Sequence, residues 1–422
     1  MSTATAKPPQ APTEENPLAR LSPEQLDAIG EELDAIRDRV MADLGDRDRR
    51  YIESMIAMHR RLAILGRVLL LASRRRSAWV AGTAALSAAK ILENMEIGHN
   101  VMHGQWDWMN DPRIHSTTWD WDNVSPADAW KHSHNYEHHT FTNVRGKDRD
   151  LGYEIMRIDP EQKWHPVYLL QPFYNLLLAA FFEWGVAVHD LNFEAIESGE
   201  KSKAKVREEL LAIGTKVKDQ ALKDYVAWPL LSGLAAAAFE AGSVLRETRT
   251  GRRRRGGLAG VAGRALRRGL EGGRETAKAD ATANVIRNAW AYAIIFCGHF
   301  PDQTYTFSEE EVEGETRGGW YVRQLLGSAN IEGSPLFHVA SGNLGYQVEH
   351  HLFPDMPSSR YAEVAPQVKD VCERYELPYN AGPFGRQLGM VQRTILRLAF
   401  PGGKRRPKPG PYLSEEAERR QA

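Results

Sequence analysis

Half of the histidines in this chain of 422 residues fall into three short groups that lie far apart in the sequence. The groups are His99 with His103, His134 with His138 and His139, and His350 with His351. Residues four apart project from one face of a helix, and the first two groups contain such pairs. Imidazole nitrogen is a preferred ligand for zinc, copper and iron, and two imidazoles on one helix face chelate with little ordering cost. If these histidines form one site, the chain from residue 99 to residue 351 must fold as one unit.

The number of histidines indicates more than one metal ion. A catalytic zinc ion usually takes three protein ligands and water, so seven imidazoles exceed what one such ion binds. Gln347 precedes His351 by four residues and His350 by three, which places the amide on the same helix. The pattern therefore predicts a dinuclear, histidine-rich centre.

Several other metal or nucleotide sites lack their motifs in this sequence. Glu96 with His99 is the one Glu-x-x-His unit of the kind that carboxylate di-iron bundles use in pairs. There is no HExxH, no GxGxxG after a strand and no GxxxxGK[ST]. With Cys297 and Cys372 as the two cysteines, the chain cannot hold an iron–sulfur cluster or a disulfide framework. Any electrons that the reaction needs must come from another protein.

The flanks of the histidine groups resemble those of the membrane fatty acid desaturases, a family with three histidine boxes in this order. The matching segments are ENMEIGHNVMHGQWDWMNDP, HNYEHHTFTNV, IIFCGHFPD and GYQVEHHLFPDMPSSRY. The likeness runs from about Leu21 to about Phe400, interrupted by one insertion. It implies an all-α fold: an integral membrane helical bundle with a cytoplasmic helical cap that holds a di-iron centre.

The resemblance also implies a set of ligands. The metal ligands carried over are His99, His103, His134, His138, His139, His299, Gln347, His350 and His351. His299 corresponds to a ligand outside the boxes, and Gln347 stands where many relatives have histidine, so it is expected to bind weakly or through water. His115 and His132 lie off the pattern, as surface or outer-sphere residues. The acidic neighbours Glu96, Asp107, Glu137 and Glu349 are expected either to orient imidazoles or to be solvated.

The function implied is an O2-dependent desaturase that introduces a cis double bond into a long-chain acyl group, with acyl-CoA favoured over acyl-lipid. An unactivated alkyl chain requires an oxidant made from O2, which two irons can generate. Electrons would come from NADPH through a separate flavin and iron–sulfur reductase. The other expected partner is membrane lipid, with no nucleic acid. The protein would lie in the cytoplasmic membrane with its active site on the cytoplasmic side.

Two other functions remain open from the residues. A hydroxylase of alkanes, fatty acids or carotenoids shares the iron chemistry, and substrate placement alone decides whether a second hydrogen leaves. A histidine-rich membrane metal carrier or sensor would bind metal without consuming O2. The net charge of −1 indicates no particular class of partner.

The organisation along the chain is a single domain between two tails. Residues 1–20 and 402–422 are expected to be disordered, and residues 21–401 to form the desaturase domain. Ser22, with proline next and glutamine three residues on, predicts a helix start. Leu26, Ile29, Leu33, Ile36 and Val40 follow at helical spacing, so an amphipathic helix is expected to lead toward the membrane.

An insertion at about residues 241–280 contains 11 Arg or Lys against four acids, with many glycines. This composition predicts a solvated loop that either contacts anionic lipid or has no binding partner. Removing the loop is expected to leave activity intact.

The membrane topology is constrained by the need to bring all ligands to one face. The longest uncharged run, residues 166–182, is 17 residues long, just under the length of about 18 that marks a spanning helix. We expect 222–242 and 283–300 to span the membrane, with 166–190 in the interface or dipping in and out. The rival arrangement spans with 166–190 and 222–242. The first would put the arginine-rich insertion outside, against the positive-inside rule.

Overall fold

The computed structural model describes residues 16–249 and 258–404, and almost all of its regular structure is helical. The α-helices are α1 (Pro23–Ala42), α2 (Asp46–Leu70), α3 (Arg76–Ile91), α4 (Asn100–Met102), α5 (Ala127–Trp130), α6 (His139–Phe141), α7 (Gln171–Ala180), α8 (Phe182–His189), α9 (Phe193–Glu197), α10 (Lys203–Ala221), α11 (Trp228–Arg249), α12 (Leu258–His299), α13 (Arg317–Gly327), α14 (Pro335–Ala340), α15 (Gln347–Leu352), α16 (Tyr361–Arg374) and α17 (Phe384–Leu398). Two three-residue strands, β1 (Asn330–Glu332) and β2 (Ala381–Pro383), pair in parallel. The helical part of the predicted fold is confirmed.

Shorter helical segments complete the chain. Three are π-helical: Leu92–His99, Lys131–His138 and Leu222–Ala227. The 3-10 turns are Pro17–Arg20, Asp107–Met109, Leu151–Glu154, Pro166–Leu170, Glu310–Val312, Leu344–Tyr346 and Ser358–Arg360. The first of these lies inside the stretch predicted as a disordered tail, and residues 1–15 and 405–422 are outside the described residues.

A bundle of four long helices forms one part of the molecule. Helix α2 packs on α3, and α12 packs on both α3 and α11. Buried ion pairs join them: Arg67 contacts Asp224 and Asp280, and Lys90 contacts Asp224 from the opposite side. All four side chains are at most 9% exposed. Because buried charges require partners, these pairs fix how the helices meet.

A helical cap forms the other part. Helix α1 packs on α13 and α16 and buries Ile29, Leu33 and Val40 in their shared core. The predicted helix start is confirmed, since the Ser22 hydroxyl accepts from the Gln25 amide at 3.3 Å and the Gln25 side chain accepts from the Ser22 amide at 2.9 Å. The apolar face of α1 therefore belongs to the core of the cap, and its relation to the membrane stays a prediction.

The described parts of the insertion do not form the solvated loop that its composition predicted. Its described parts continue α11 to Arg249 and form the first half of α12, while residues 250–257, which include the four consecutive arginines, lie outside the described residues. Thr276 is 1% exposed, and the Gly272 carbonyl accepts from the Ser73 hydroxyl at 3.1 Å. A Cβ on Gly272 would lie 2.8 Å from the Ala236 Cβ. The glycines here permit close helix packing, which explains why the prediction was wrong.

None of the described helices is by itself both long and apolar enough to pass as a membrane span. The pair Pro166–Ala180 and Phe182–Glu197 passes only when taken together, and it bends by 102° at the break. Such a bend has the shape expected of a segment that dips in and out. The spanning roles of 222–242 and 283–300 stay predictions.

Candidate metal centre

The first histidine group lies where a π-helical segment gives way to α4. His99 ends the segment Leu92–His99, and His103 follows α4. The Asn100 side chain holds this junction by donating to the carbonyls of Glu96 at 3.0 Å and Gly342 at 3.2 Å. The rings of His99 and His103 are 4.6 Å apart, so they face one site as the spacing predicted.

The second group lies on another π-helical segment, which explains how two adjacent histidines serve one site. His134 and His138 belong to Lys131–His138, and His139 begins α6. Hydrogen bonds from residue i to i+5 make one turn longer than in an α-helix, so positions i+4 and i+5 both return to the side of residue i. The His134 ring is 5.1 Å from that of His138 and 5.0 Å from that of His139.

The third group and His299 come from two elements that meet over the second group. His350 and His351 are on α15, and His299 is the last residue of α12. The Nε2 atoms of His299 and His351 are 3.2 Å apart, and the Gln347 Nε2 is 2.9 Å from the His299 Nε2. A Cβ at residue 298 would lie 2.8 Å from the Gln347 side chain, so Gly298 allows this approach.

All eight histidines predicted as ligands are therefore buried in one cluster. Their nitrogens form groups within 4.8 Å of one another that could hold metal ions: His99, His103, His134 and His350; His138, His299 and His351; and His139, His350 and His351. The first two groups share no residue, and the third contains one histidine from each of them. Two neighbouring cation sites linked by the third group fit this arrangement.

The hydrogen bonds of these imidazoles fit metal binding. Buried atoms without a hydrogen-bond partner include Nε2 of His103, His134, His139 and His350, Nδ1 of His139 and His299, and Oε1 of Gln347. Buried polar atoms are normally satisfied, and this many unpartnered atoms in one place fit a site that binds cations. The donor set suits iron, copper or zinc, and seven or more imidazoles suit two ions.

In several of these rings, Nδ1 forms a hydrogen bond with a side-chain oxygen. Nδ1 of His138 donates to Asp148 at 3.0 Å, and Nδ1 of His134 donates to Asp150 at 3.3 Å. Nδ1 of His351 lies 3.0 Å from Gln324 Oε1. A proton held on Nδ1 leaves Nε2 as the free lone pair, so these anchors select the tautomer that ligates.

Burial also keeps four rings of the cluster in their ligating protonation state. Desolvation, reinforced by the neighbouring imidazoles, holds the pKa of His103, His139, His350 and His351 well below the ordinary value. These rings are neutral at pH 7, and the neutral form is the one that binds a cation.

The four acidic residues expected to orient imidazoles or be solvated have other partners. Asp107 accepts from Ser116, and Glu137 pairs with Arg149. Glu96 and Glu349 are fully buried, and burial raises their pKa values to about 8 and about 7. The carboxylates on the box histidines are Asp148 and Asp150, which come from a turn after the second box and have no helical spacing to reveal them. His115 and His132 lie outside the cluster, and His132 is 69% exposed.

Comparison with known proteins assigns the same segments to one family. The sequence model of the family described as fatty acid desaturase matches residues 77–254 and 279–383. An NADPH-dependent stearoyl-CoA 9-desaturase of Mycobacterium tuberculosis is 42% identical over 389 residues, which cover 92% of this chain and 83% of that protein. An sn-1 linoleoyl-lipid 6-desaturase of Synechocystis is 24% identical over 312 residues, covering 72% of this chain and 75% of the relative. No solved structure matches the chain.

Proposed function

The chain belongs to the fatty acid desaturase family, and on that premise we propose that it is an O2-dependent acyl-CoA desaturase that introduces a cis double bond into a long saturated acyl chain. The observation that carries the proposal is the convergence of eight buried histidines from three distant boxes and α12 on one cluster. The name of the mycobacterial relative, a stearoyl-CoA 9-desaturase, supports acyl-CoA as carrier and position 9 as the site of the double bond.

We infer that the cluster holds two irons. The ligands proposed for one are His99, His103, His134 and His350, and those for the other are His138, His299 and His351, with His139 between them. Gln347 points its orphaned amide oxygen into the same region and is proposed as a weak or water-bridged ligand. Bound iron would supply the O2-derived oxidant that removes hydrogen from an unactivated chain. The imidazoles hold the ions, and Asp148 and Asp150 keep the proton on the outward nitrogen of two of them.

A narrow cavity beside the histidines is proposed as the place where part of the acyl chain approaches the metal ligands. Its volume is about 40 Å³, and it borders His99 and His134. One part of its wall is apolar and includes Met95, Trp121, Trp130, Tyr153, Phe182, Val186, Ala291 and Ile295, and the other part is polar and includes Asn94, Asn123, Ser133, Asp150, His189 and Asp190. The apolar wall suits the carbons of a hydrocarbon chain and would bring them close to the metal ligands.

Exposed apolar side chains support a membrane location, and we propose that the active site lies on the cytoplasmic side. Phe173, Leu176, Leu177 and Phe181 follow one another along α7 and its break, with exposed fractions between 47% and 65%. Others on α11 are Leu230, Leu231, Leu234 and Phe239. Large apolar patches of this kind are unusual on a monomer in water and suit contact with lipid.

The electrons would come from NADPH through a separate flavin and iron–sulfur reductase. The sequence has no dinucleotide fingerprint, and the relative named above is NADPH-dependent. The proposal is tested by supplying membranes that contain the protein with labelled stearoyl-CoA, NADPH and a ferredoxin-type reductase, and analysing the acyl chains by mass spectrometry. We expect a cis double bond at carbon 9, formed only with the reductase. Product formed from NADPH by the purified chain alone would contradict the separate donor.

A further inference from the structure

His189 is a buried histidine that belongs to none of the three boxes. It is the last residue of α8 and is 7% exposed. By sequence it is one of the scattered histidines, and nothing in its spacing relates it to the metal cluster. A single carboxylate group nevertheless connects its ring to that of His134.

That carboxylate is Asp150, which contacts both rings. Its Oδ1 is 3.0 Å from the His189 Nε2, and its Oδ2 is 3.3 Å from the His134 Nδ1. The backbone amide of Asp150 donates to the Asp148 carboxylate at 3.0 Å, so the carboxylate that anchors His138 also holds the backbone of Asp150. With both oxygens occupied, Asp150 has one orientation.

The other side of His189 is fixed as well. Its Nδ1 is 3.5 Å from the Glu154 carboxylate, and its ring meets the Tyr153 ring edge-on, with centroids 5.3 Å apart. Tyr153 and Glu154 both have positive φ, at 52° and 59°, directly after Gly152 at 67°. Non-glycine residues adopt this conformation at a cost in strain, and such strain persists where the surroundings require the geometry. Here it turns the side chains of both residues toward His189.

We propose that His189 is a positioning residue for the metal centre: by donating from Nε2 to Asp150, it holds the carboxylate so that His134 keeps its proton on Nδ1 and presents Nε2 to a metal ion. The inference rests on the proposed function, because it needs a metal at His134. The Nε2 of His134, which has no hydrogen-bond partner, is the atom that this arrangement leaves available to a metal ion. A carboxylate that orients a ligating imidazole commonly contributes a factor of about 10 to 100 in metal affinity, and His189 governs the orientation of that carboxylate.

Two conservative substitutions separate positioning from simple core filling. In His189→Gln the amide nitrogen replaces Nε2, so the donor to Asp150 is retained. In His189→Asn the amide nitrogen replaces Nδ1, on the side of Glu154, and the bond to Asp150 is lost. Both variants are polar and smaller than histidine, so a role in packing alone predicts similar behaviour for the two.

The experiment measures the rate at which folded, iron-loaded protein loses iron to a chelator, together with its Mössbauer spectrum. We expect His189→Asn to release one of its two irons about 10 to 100 times faster than wild type, with a change in one of two iron signals. His189→Gln should stay close to the wild-type rate. Asp150→Ala removes the acceptor from both His189 and His134 and should labilise the same iron, so the test does not depend on the His189 variants folding.

The control is His59→Phe, which removes a partly buried imidazole that bonds the Ala89 carbonyl and lies outside the cluster. It should leave the rate of iron loss unchanged. Equal rates for His189→Asn, His189→Gln and wild type would overturn the positioning role. Wild-type protein that binds no iron would instead overturn the proposed function, so the two failures are distinguishable.

Discussion

At the scale of single residues, His350 takes part in two of the candidate ligand groups. It belongs both to the group with His99, His103 and His134 and to the group with His139 and His351. Its removal should therefore disturb both proposed irons. We expect His350→Ala to lose desaturation entirely, by at least about 1,000-fold in rate, while insertion into membranes survives.

The matched control is His132→Ala, because His132 lies two residues before His134, is 69% exposed and takes no part in the cluster. It should retain wild-type iron content and turnover. An active His350→Ala enzyme, or equal loss in both variants when each is measured per folded molecule, would argue against the ligand assignment.

Glu96 leads to a prediction about pH. Its carboxylate accepts from Tyr51, Asn343 and Ser358, yet burial raises its pKa from 4.5 to about 8. A carboxyl group whose pKa rises on folding holds its proton more tightly in the folded state. The free energy of unfolding should therefore fall as pH rises from about 4.5 to about 8.

Glu96→Gln, which cannot ionise, should remove this dependence. We expect its melting temperature relative to wild type to increase between pH 6 and pH 9, reflecting about 3 kcal/mol in the free energy of unfolding. A difference in melting temperature that is constant with pH would show that Glu96 does not titrate in this range.

At the scale of elements, α11 and α12 form a packed hairpin where the composition predicted a solvated loop. Gly272 contacts α11 through Ala236, whereas a Cβ at Gly263, nine residues earlier on α12, would meet nothing within 4 Å. Gly272→Ala should lower the free energy of unfolding by about 1 to 3 kcal/mol through overpacking. Gly263→Ala should raise it by up to about 1 kcal/mol, because alanine favours a helix.

Chemical denaturation of both variants in detergent distinguishes the two interpretations of the insertion. A flexible loop would tolerate both changes equally, which would contradict the packed hairpin. The packed hairpin also means that replacing residues 246–278 with a linker should destabilise the bundle, since Thr276 and the carbonyls of Gly272 and Glu275 contact α2, α3 and the turn between them.

How far the sequence predicts these elements depends on the range of the interactions. The cap at Ser22 and the apolar spacing of α1 are local, and both were predictable. The π-helical segments were not predictable. Histidines four residues apart also match the spacing of an α-helix, so the sequence does not show that the hydrogen bonds run to i+5. Asp148, Asp150 and His189 reach the site only through tertiary packing, so no local spacing reveals them.

At the scale of the whole molecule, buried charges link the four-helix bundle. Asp224 is fully buried and accepts from Arg67 at 2.9 Å and from Lys90 at 2.9 Å. Asp224→Asn would leave two buried cations with fewer anionic partners. We expect a loss of about 3 to 5 kcal/mol in the free energy of unfolding.

Asp219→Asn is the control, because that side chain is 65% exposed and its nearest cation, Lys218, is 3.9 Å away. It should change stability by less than about 0.5 kcal/mol. Indistinguishable denaturation curves for the two variants would mean that the buried ion pairs do not support the bundle.

The union of the three histidine groups was predictable at this scale, since one metal centre needs all of them. Which histidines share an ion was not predictable. His350 and His351 are neighbours in sequence, but His350 belongs to the group with His99 and His351 to the group with His138. Adjacent residues of a helix point in directions about 100° apart, so the division depends on how α15 is placed in the folded chain.

The central claim is that the histidine cluster carries out iron-dependent desaturation of an acyl chain. The most direct test supplies the iron-loaded protein with deuterated stearoyl-CoA, O2 and a reductase with NADPH, and determines by mass spectrometry which hydrogens leave. The account predicts oleoyl-CoA lacking one hydrogen at each of carbons 9 and 10, and no product from iron-free protein. A hydroxylated chain, or an unchanged substrate with fully reduced, iron-loaded protein, would contradict it.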